Sequence, residues 1–351
     1  MQERNADIEG LRFLMIISIA ILHFTEDYWG GGGMFVKGGY LGVDFFFIVS
    51  GFFLMLHYQK RRTIVFEESK KEKIAIVKET MNYMSDRIKR LYEPYIISIL
   101  MFVALLFYEN SFSFSWLVKH IWSTKWQYLL VHYLGADVPF EFRSIWFISS
   151  LILISYFIYF LLCYNETLFI GLAPVSSLLL YIWIFVTYKT LSMQMYWTGL
   201  FHGSVLRGFA DMTVGVLAAW IACVYKTKSL DKTKIYIIKF CCMAMIAYIM
   251  VGVQPWSEED FFIIPLMFLV IVLSYLRPFN FPESIKRLLI YSGSLSYWIF
   301  LQHLLVSRCF VLWRPHLKAY IALPLFLSIT YLLAILSDKL YKSRKLRQEV
   351  A

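Results

Sequence analysis

Residues 11–24 read LRFLMIISIAILHF, an apolar run broken only by Arg12, a serine and His23. Extended to residue 28, it reaches the roughly 18 residues that a helix needs to cross a hydrocarbon layer. An ionisable group at the centre of such a helix costs ~2.5 kcal/mol or more, so a guanidinium and an imidazole there are candidates for function. Eleven residues turn an α-helix by about 1100°, which leaves about 20°, and rise about 16 Å. Arg12 and His23 therefore lie on one stripe, near opposite ends of the helix. The plain alternative is that Arg12 snorkels to headgroups while His23 makes an interhelical hydrogen bond.

The same pattern continues outward from this stretch. Of the 351 residues, 59% are hydrophobic and 17% charged, with a mean hydropathy of +0.61. A soluble domain carries about a quarter charged residues. Apolar stretches between polar loops mark about ten spans, at 11–28, 38–58, 94–109, 144–163, 169–186, 204–225, 235–252, 260–276, 288–306 and 320–337. The expected fold is an all-α polytopic membrane protein, one domain over 1–351 with no appended soluble module. No small-residue cleavage site follows the first run, so it reads as a retained helix.

The net charge of +10 raises nucleic acid as a partner, but its distribution argues against that. With alternating sides, about 24 Lys and Arg fall on the face of the termini and about 8 on the other. This bias predicts cytoplasmic termini in a multi-pass cell-membrane protein and excludes nucleic acid. Loop 59–93 is charged and helical in part, 164–168 is a short turn, and the aromatic loop 110–143 suggests interfacial helices. The glycine quartet at 30–33 reads as a flexible turn. Cysteines 163, 223, 241, 242 and 309 lack ligand spacing, so neither a metal site nor a disulfide scaffold is expected.

Three stretches carry chemistry. In GGYLGVDFFFIVSGFFL (38–54), Asp44 lies about as deep from the outer face as His23, to within a few ångströms. A His23–Asp44 pair is expected, which would fix the tautomer and raise the basicity of a general base. Asp27 and Glu26, at i+4 and i+3 from His23, offer the same role from the same helix, but nearer water they read as solvated rim residues. In SDRIKRLYEPY (85–95), Arg87, Lys89 and Arg90 flank a span, and Arg87 and Arg90 share a helix face suited to a polyanion. Ordinary anchoring at the membrane surface is the alternative. Arg207 and Asp211 are spaced for a salt bridge. His57, His120, His132, His202 and His316 sit at ends or in loops, where exposure is expected.

In this order the motifs resemble the integral-membrane acyltransferase 3 family, which includes bacterial O-acetyltransferases of surface polysaccharides. IEGLRFLMIISIAILHF is similar to its Arg-ten-His helix, GGYLGVDFFFIVSGFFL to its second helix, and RIKRLYEP to its Arg-x-x-Arg motif. SIWFISSLI (144–152) and SGSLSYWIFLQHLL (292–305) resemble its Trp-containing and late Ser-Tyr…His segments. Many members carry a glutamate shortly after that tryptophan, whereas here Trp146 is followed by FISSLI.

The resemblance implies a cytoplasmic acyl-CoA donor, most simply acetyl-CoA, with no permanently bound cofactor. The acceptor it implies is a hydroxyl of an extracytoplasmic or lipid-linked glycan. Arg12, Arg87, Arg90 and Lys89 are then the expected acyl-CoA contacts, with the pantetheine arm threading the Arg12–His23 stripe. His23, paired with Asp44, is the expected base, and an acyl-histidine intermediate is the competing chemistry. His303 matches the family's late histidine and is a candidate to line the site. Tyr297, Trp146 and Ser50 are candidate oxyanion donors. The rival reading is a transporter or flippase, which also buries His, Asp and Arg but requires broken helices in matched halves.

Overall fold

The computed structural model describes residues 4–30, 35–68, 73–131, 142–143, 145–193, 196–199, 201–226, 231–314 and 316–350. His132 and three of the four clustered glycines lie outside these residues. The chain is 85% helical. In order the helices are α1 (Ala6–Trp29), α2 (Gly42–Glu68), α3 (Lys73–Glu109), α4 (Phe114–Ser123), α5 (Lys125–Tyr128) and α6 (Ile145–Tyr188). They continue with α7 (Gly203–Tyr225), α8 (Lys232–Gly252), α9 (Ile263–Leu276), α10 (Glu283–Ser294), α11 (Ser296–Trp313) and α12 (Ala319–Val350).

Among the described residues, eight helices are long and apolar enough to cross a membrane, and nine if α10 and α11, bent by 57°, form one span. Helix α6 is about twice as long as one crossing needs. Its 44 residues break at Asn165, where φ is −158° and ψ is 91°. Near its start Phe147 packs on Phe47 of α2, with ring centroids 4.6 Å apart. At the break Glu166 meets Arg62, at the opposite end of α2, at 2.7 Å. Just past its end Thr190 donates to Asp260 (2.6 Å), which also accepts from Tyr40 beside the start of α2 (2.6 Å). The two arms of α6 thus run out and back, and the expected loop 164–168 is reduced to a one-residue break. Loop 59–93 is likewise largely helix: α2 extends to Glu68 and α3 begins at Lys73, leaving Pro94 inside a helix.

Helix α2 sits at the centre, with 78% of its most apolar window buried, whereas α12 is peripheral at 22%. Helix α2 packs on α7 and α6, α1 on α10 and α11, and α11 also on α12 and α3. The α2–α7 contact is backbone to backbone. A Cβ on Gly51 would stand 2.0 Å from the Met212 carbonyl oxygen, and one on Gly215 1.9 Å from that of Ile48. Small residues permit this approach, which dispersion then rewards where lipid gives no hydrophobic gain between helices. The start of α1 is pinned twice. Asn5 caps it by accepting from the Asp7 and Ile8 amides, and buried Asp7 accepts from Lys239 of α8 and from the Phe279 amide.

Candidate functional site

A cavity of about 310 Å³ lies among α1, α2, α3, α6 and α11. This volume is in the range of small-molecule sites. Arg12, Arg87 and Arg90 line it with Ser50, Ser296 and Tyr297, and Phe46, Phe147, Leu151 and Phe300 give it an apolar wall. Arg12 is held in place: it donates to Glu9 one turn back (2.9 Å) and to Ser296 of α11 (3.0 Å). Arg87 donates to Tyr83 (2.8 Å) and Arg90 to the Asp86 carbonyl (3.2 Å). Among the described residues neither of these two guanidiniums has a carboxylate within ion-pair distance, so both retain donors for an anion.

Phe300 links this cavity to a second group of residues. Its ring centroid lies 6.2 Å from His303, which stacks on His23 at 5.4 Å with the planes 20° apart. One turn further, Asp27 of α1 accepts from Ser307 of α11 (3.3 Å), so the two helices present matched faces. Arg143, just before α6, spans this layer. It donates to both oxygens of Asp27 (3.1 and 3.3 Å) and, through Nη2, to His23 Nδ1 (3.1 Å). Glu26 approaches the same nitrogen at 3.4 Å.

A family model described as an acyltransferase domain matches residues 5–338, nearly the whole chain. The chain belongs to the acyltransferase 3 family. No curated protein and no solved structure matches it.

Within this acyltransferase, several expected neighbours are placed elsewhere. The His23–Asp44 pair is not formed. Asp44 is fully buried and accepts two hydrogen bonds from Arg207, at 2.7 and 2.5 Å. A guanidinium fork matches a carboxylate better than an imidazole does, and α7 brings it to α2 through the glycine contact. Asp211, expected to pair with Arg207, accepts from Tyr181 of α6 (2.6 Å). Glu26 and Asp27, read as rim residues, belong to the histidine cluster. Lys89 is exposed and does not line the cavity, because it faces away from the side shared by Arg87 and Arg90.

The three candidate oxyanion donors separate. Ser50 and Tyr297 line the cavity, but the Tyr297 hydroxyl is committed to the Leu91 carbonyl (2.8 Å). Trp146 is outside it, packed on Phe47 and facing the Arg207 guanidinium at 6.0 Å. His202, expected to be exposed, is buried and bonds Ser204 (2.7 Å), and burial lowers its pKa. Arg143 escaped the sequence reading altogether. Its only signal is that a basic residue on the sparsely charged face immediately precedes a span.

Proposed function

We propose that this acyltransferase moves an acyl group, most simply acetyl, from acyl-CoA on the cytoplasmic face to a hydroxyl of an extracytoplasmic or lipid-linked glycan. The observation that carries the reading is a cavity with three guanidiniums that shares Phe300 with the His23–His303 stack. Arg87 and Arg90 suit the phosphates of coenzyme A, and Arg12, fixed by Glu9 and Ser296, suits a second polar contact further in. The apolar wall of Val49, Leu151, Phe147 and Phe300 suits the pantetheine arm and a short acyl group. The stacked imidazoles supply proton transfer where the thioester meets the hydroxyl, and His23, the more exposed of the two, faces the acceptor. In this reading the chain is a multi-pass cell-membrane enzyme with both termini on the cytoplasmic face.

The test uses purified protein in lipid nanodiscs with acetyl-CoA and a glycan acceptor. Arg87→Ala/Arg90→Ala is expected to weaken acetyl-CoA binding, with a larger ratio to wild type at low salt, where charge contacts are least screened. His23→Ala is expected to reduce turnover by about 100-fold or more while the protein stays folded. Unchanged affinity in the double variant removes the arginines from the donor site, and wild-type turnover in His23→Ala removes the histidine from the chemistry.

A further inference from the structure

The two stacked histidines are held by partners of opposite kind. His303 is fully buried, and its Nδ1 faces the carbonyl oxygens of Phe300 (2.8 Å) and Ile299 (3.2 Å). A carbonyl only accepts, so Nδ1 carries the proton and Nε2 presents its lone pair. That lone pair is buried with no hydrogen-bond partner among the described residues. An unsatisfied buried acceptor is costly and calls for a reason. His23 is the reverse case. Arg143 only donates, so the 3.1 Å contact leaves Nδ1 with the lone pair and places the proton of the neutral ring on Nε2.

We propose that the pair is a donor–acceptor couple in which His303 Nε2 is the base, His23 Nε2–H is the oxyanion donor, and Arg143 is the positioning residue that sets the His23 tautomer. This rests on the acyl-transfer reading above and reassigns the base within it. The acceptor hydroxyl attacks the thioester carbonyl, and its proton passes to His303 Nε2. The carbon–oxygen bond forms as the carbonyl electron pair moves onto oxygen, where His23 Nε2–H holds it. When the pair returns, the carbon–sulfur bond breaks, and the thiolate takes the proton from His303. No other reactant is needed. Phe300 is the side chain that joins His303 to the donor cavity, and its movement would open Nε2 to a bound hydroxyl. The carboxylates facing the pair have their own tasks: Asp27 holds Arg143, and Glu26 stands 3.4 Å from His23 Nδ1, able to hold the ring if it becomes charged.

The test combines turnover with ¹⁵N NMR of histidine-labelled protein in nanodiscs, the two rings being assigned by loss of signal in His23→Gln and His303→Gln. In the wild type, the unprotonated nitrogen is expected to be Nδ1 in His23 and Nε2 in His303. The opposite pattern in either ring overturns the proposal, whether or not any variant is active. His303→Gln is expected to lose about 100-fold or more in turnover, whereas His23→Gln, which keeps an N–H, loses about tenfold or less. An active His303→Gln with an inactive His23→Gln makes His23 the base and overturns this assignment while leaving acyl transfer intact. Wild-type turnover in both variants overturns the histidine centre itself. Arg143→Gln is expected to move the His23 proton between its nitrogens and Arg143→Lys to restore the wild-type spectrum; an unshifted spectrum in Arg143→Gln removes Arg143 from the proposal.

Discussion

Asp44 shows how a side chain's partner follows from reach and geometry rather than from depth alone. Residue spacing puts its carboxylate at about the depth of His23, yet Arg207 takes it with two hydrogen bonds, both groups being at most 1% exposed. Removing one member of such a pair strands the other charge and costs about 3–5 kcal/mol, whereas replacing both by apolar residues is often neutral. Asp44→Asn is therefore expected to lower the thermal midpoint sharply, measured by size-exclusion after heating in detergent. Asp44→Leu/Arg207→Met is expected to recover much of that loss and to retain turnover. A folded but inactive double variant would show that the pair takes part in chemistry. Arg12 is the opposite case: tied to Glu9 and Ser296, it still borders open space.

At the scale of elements, the contact that places Asp44 is the approach of α2 and α7. Gly51 and Gly215 each face a backbone carbonyl that cannot give way, so even a methyl group drives the helices apart. Overpacking of this kind costs 1–3 kcal/mol and sometimes more. Gly215→Ala is expected to cut the yield of folded protein and to lower the thermal midpoint by several degrees. Gly171→Ala, in α6 with nothing within 4 Å of its added carbon, is expected to leave the midpoint unchanged or raise it. Equal loss in both variants would mean that the close approach is not what the glycines serve. Helices α1 and α11 show a similar dependence on register. Residues at i and i+4 on each, His23 with Asp27 and His303 with Ser307, face one another layer by layer.

For the whole molecule, the number of crossings decides how the site can be reached from each side. Ten crossings are expected if the bent α10–α11 pair and both arms of α6 each cross alongside the other long helices, and an even number would leave both termini on one face. Contacts at that end agree: Asn5 donates to the Ser274 carbonyl, and Arg344 lies 3.8 Å from Glu93 of α3, near Arg87 and Arg90. A reporter fused after Val350 and one inserted at Asn165 are expected to report the same side as one fused at the N-terminus. Opposite sides for the two termini would mean that α6 crosses once or that α10–α11 does not cross.

Read alone, the sequence determined the class of the protein and named the three arginines that line the cavity. Hydrophobic runs and charge bias are properties of composition and spacing, and Arg87 and Arg90 share a face of α3 because helical periodicity places residues three apart on one stripe, while packing of α1 brings Arg12 to the same cavity. It also singled out His23 and His303. Only the tertiary structure decided which charges meet: Arg207 with Asp44, Arg143 with Asp27 and His23, and Asp7 with Lys239. The physical reason is that a helix's own pattern specifies a face but not the neighbour against that face. The neighbour is chosen by packing between segments distant in sequence, 232 residues apart for Lys239 and Asp7 and 284 for Arg12 and Ser296, where a glycine or a break such as Asn165 sets how closely backbones approach.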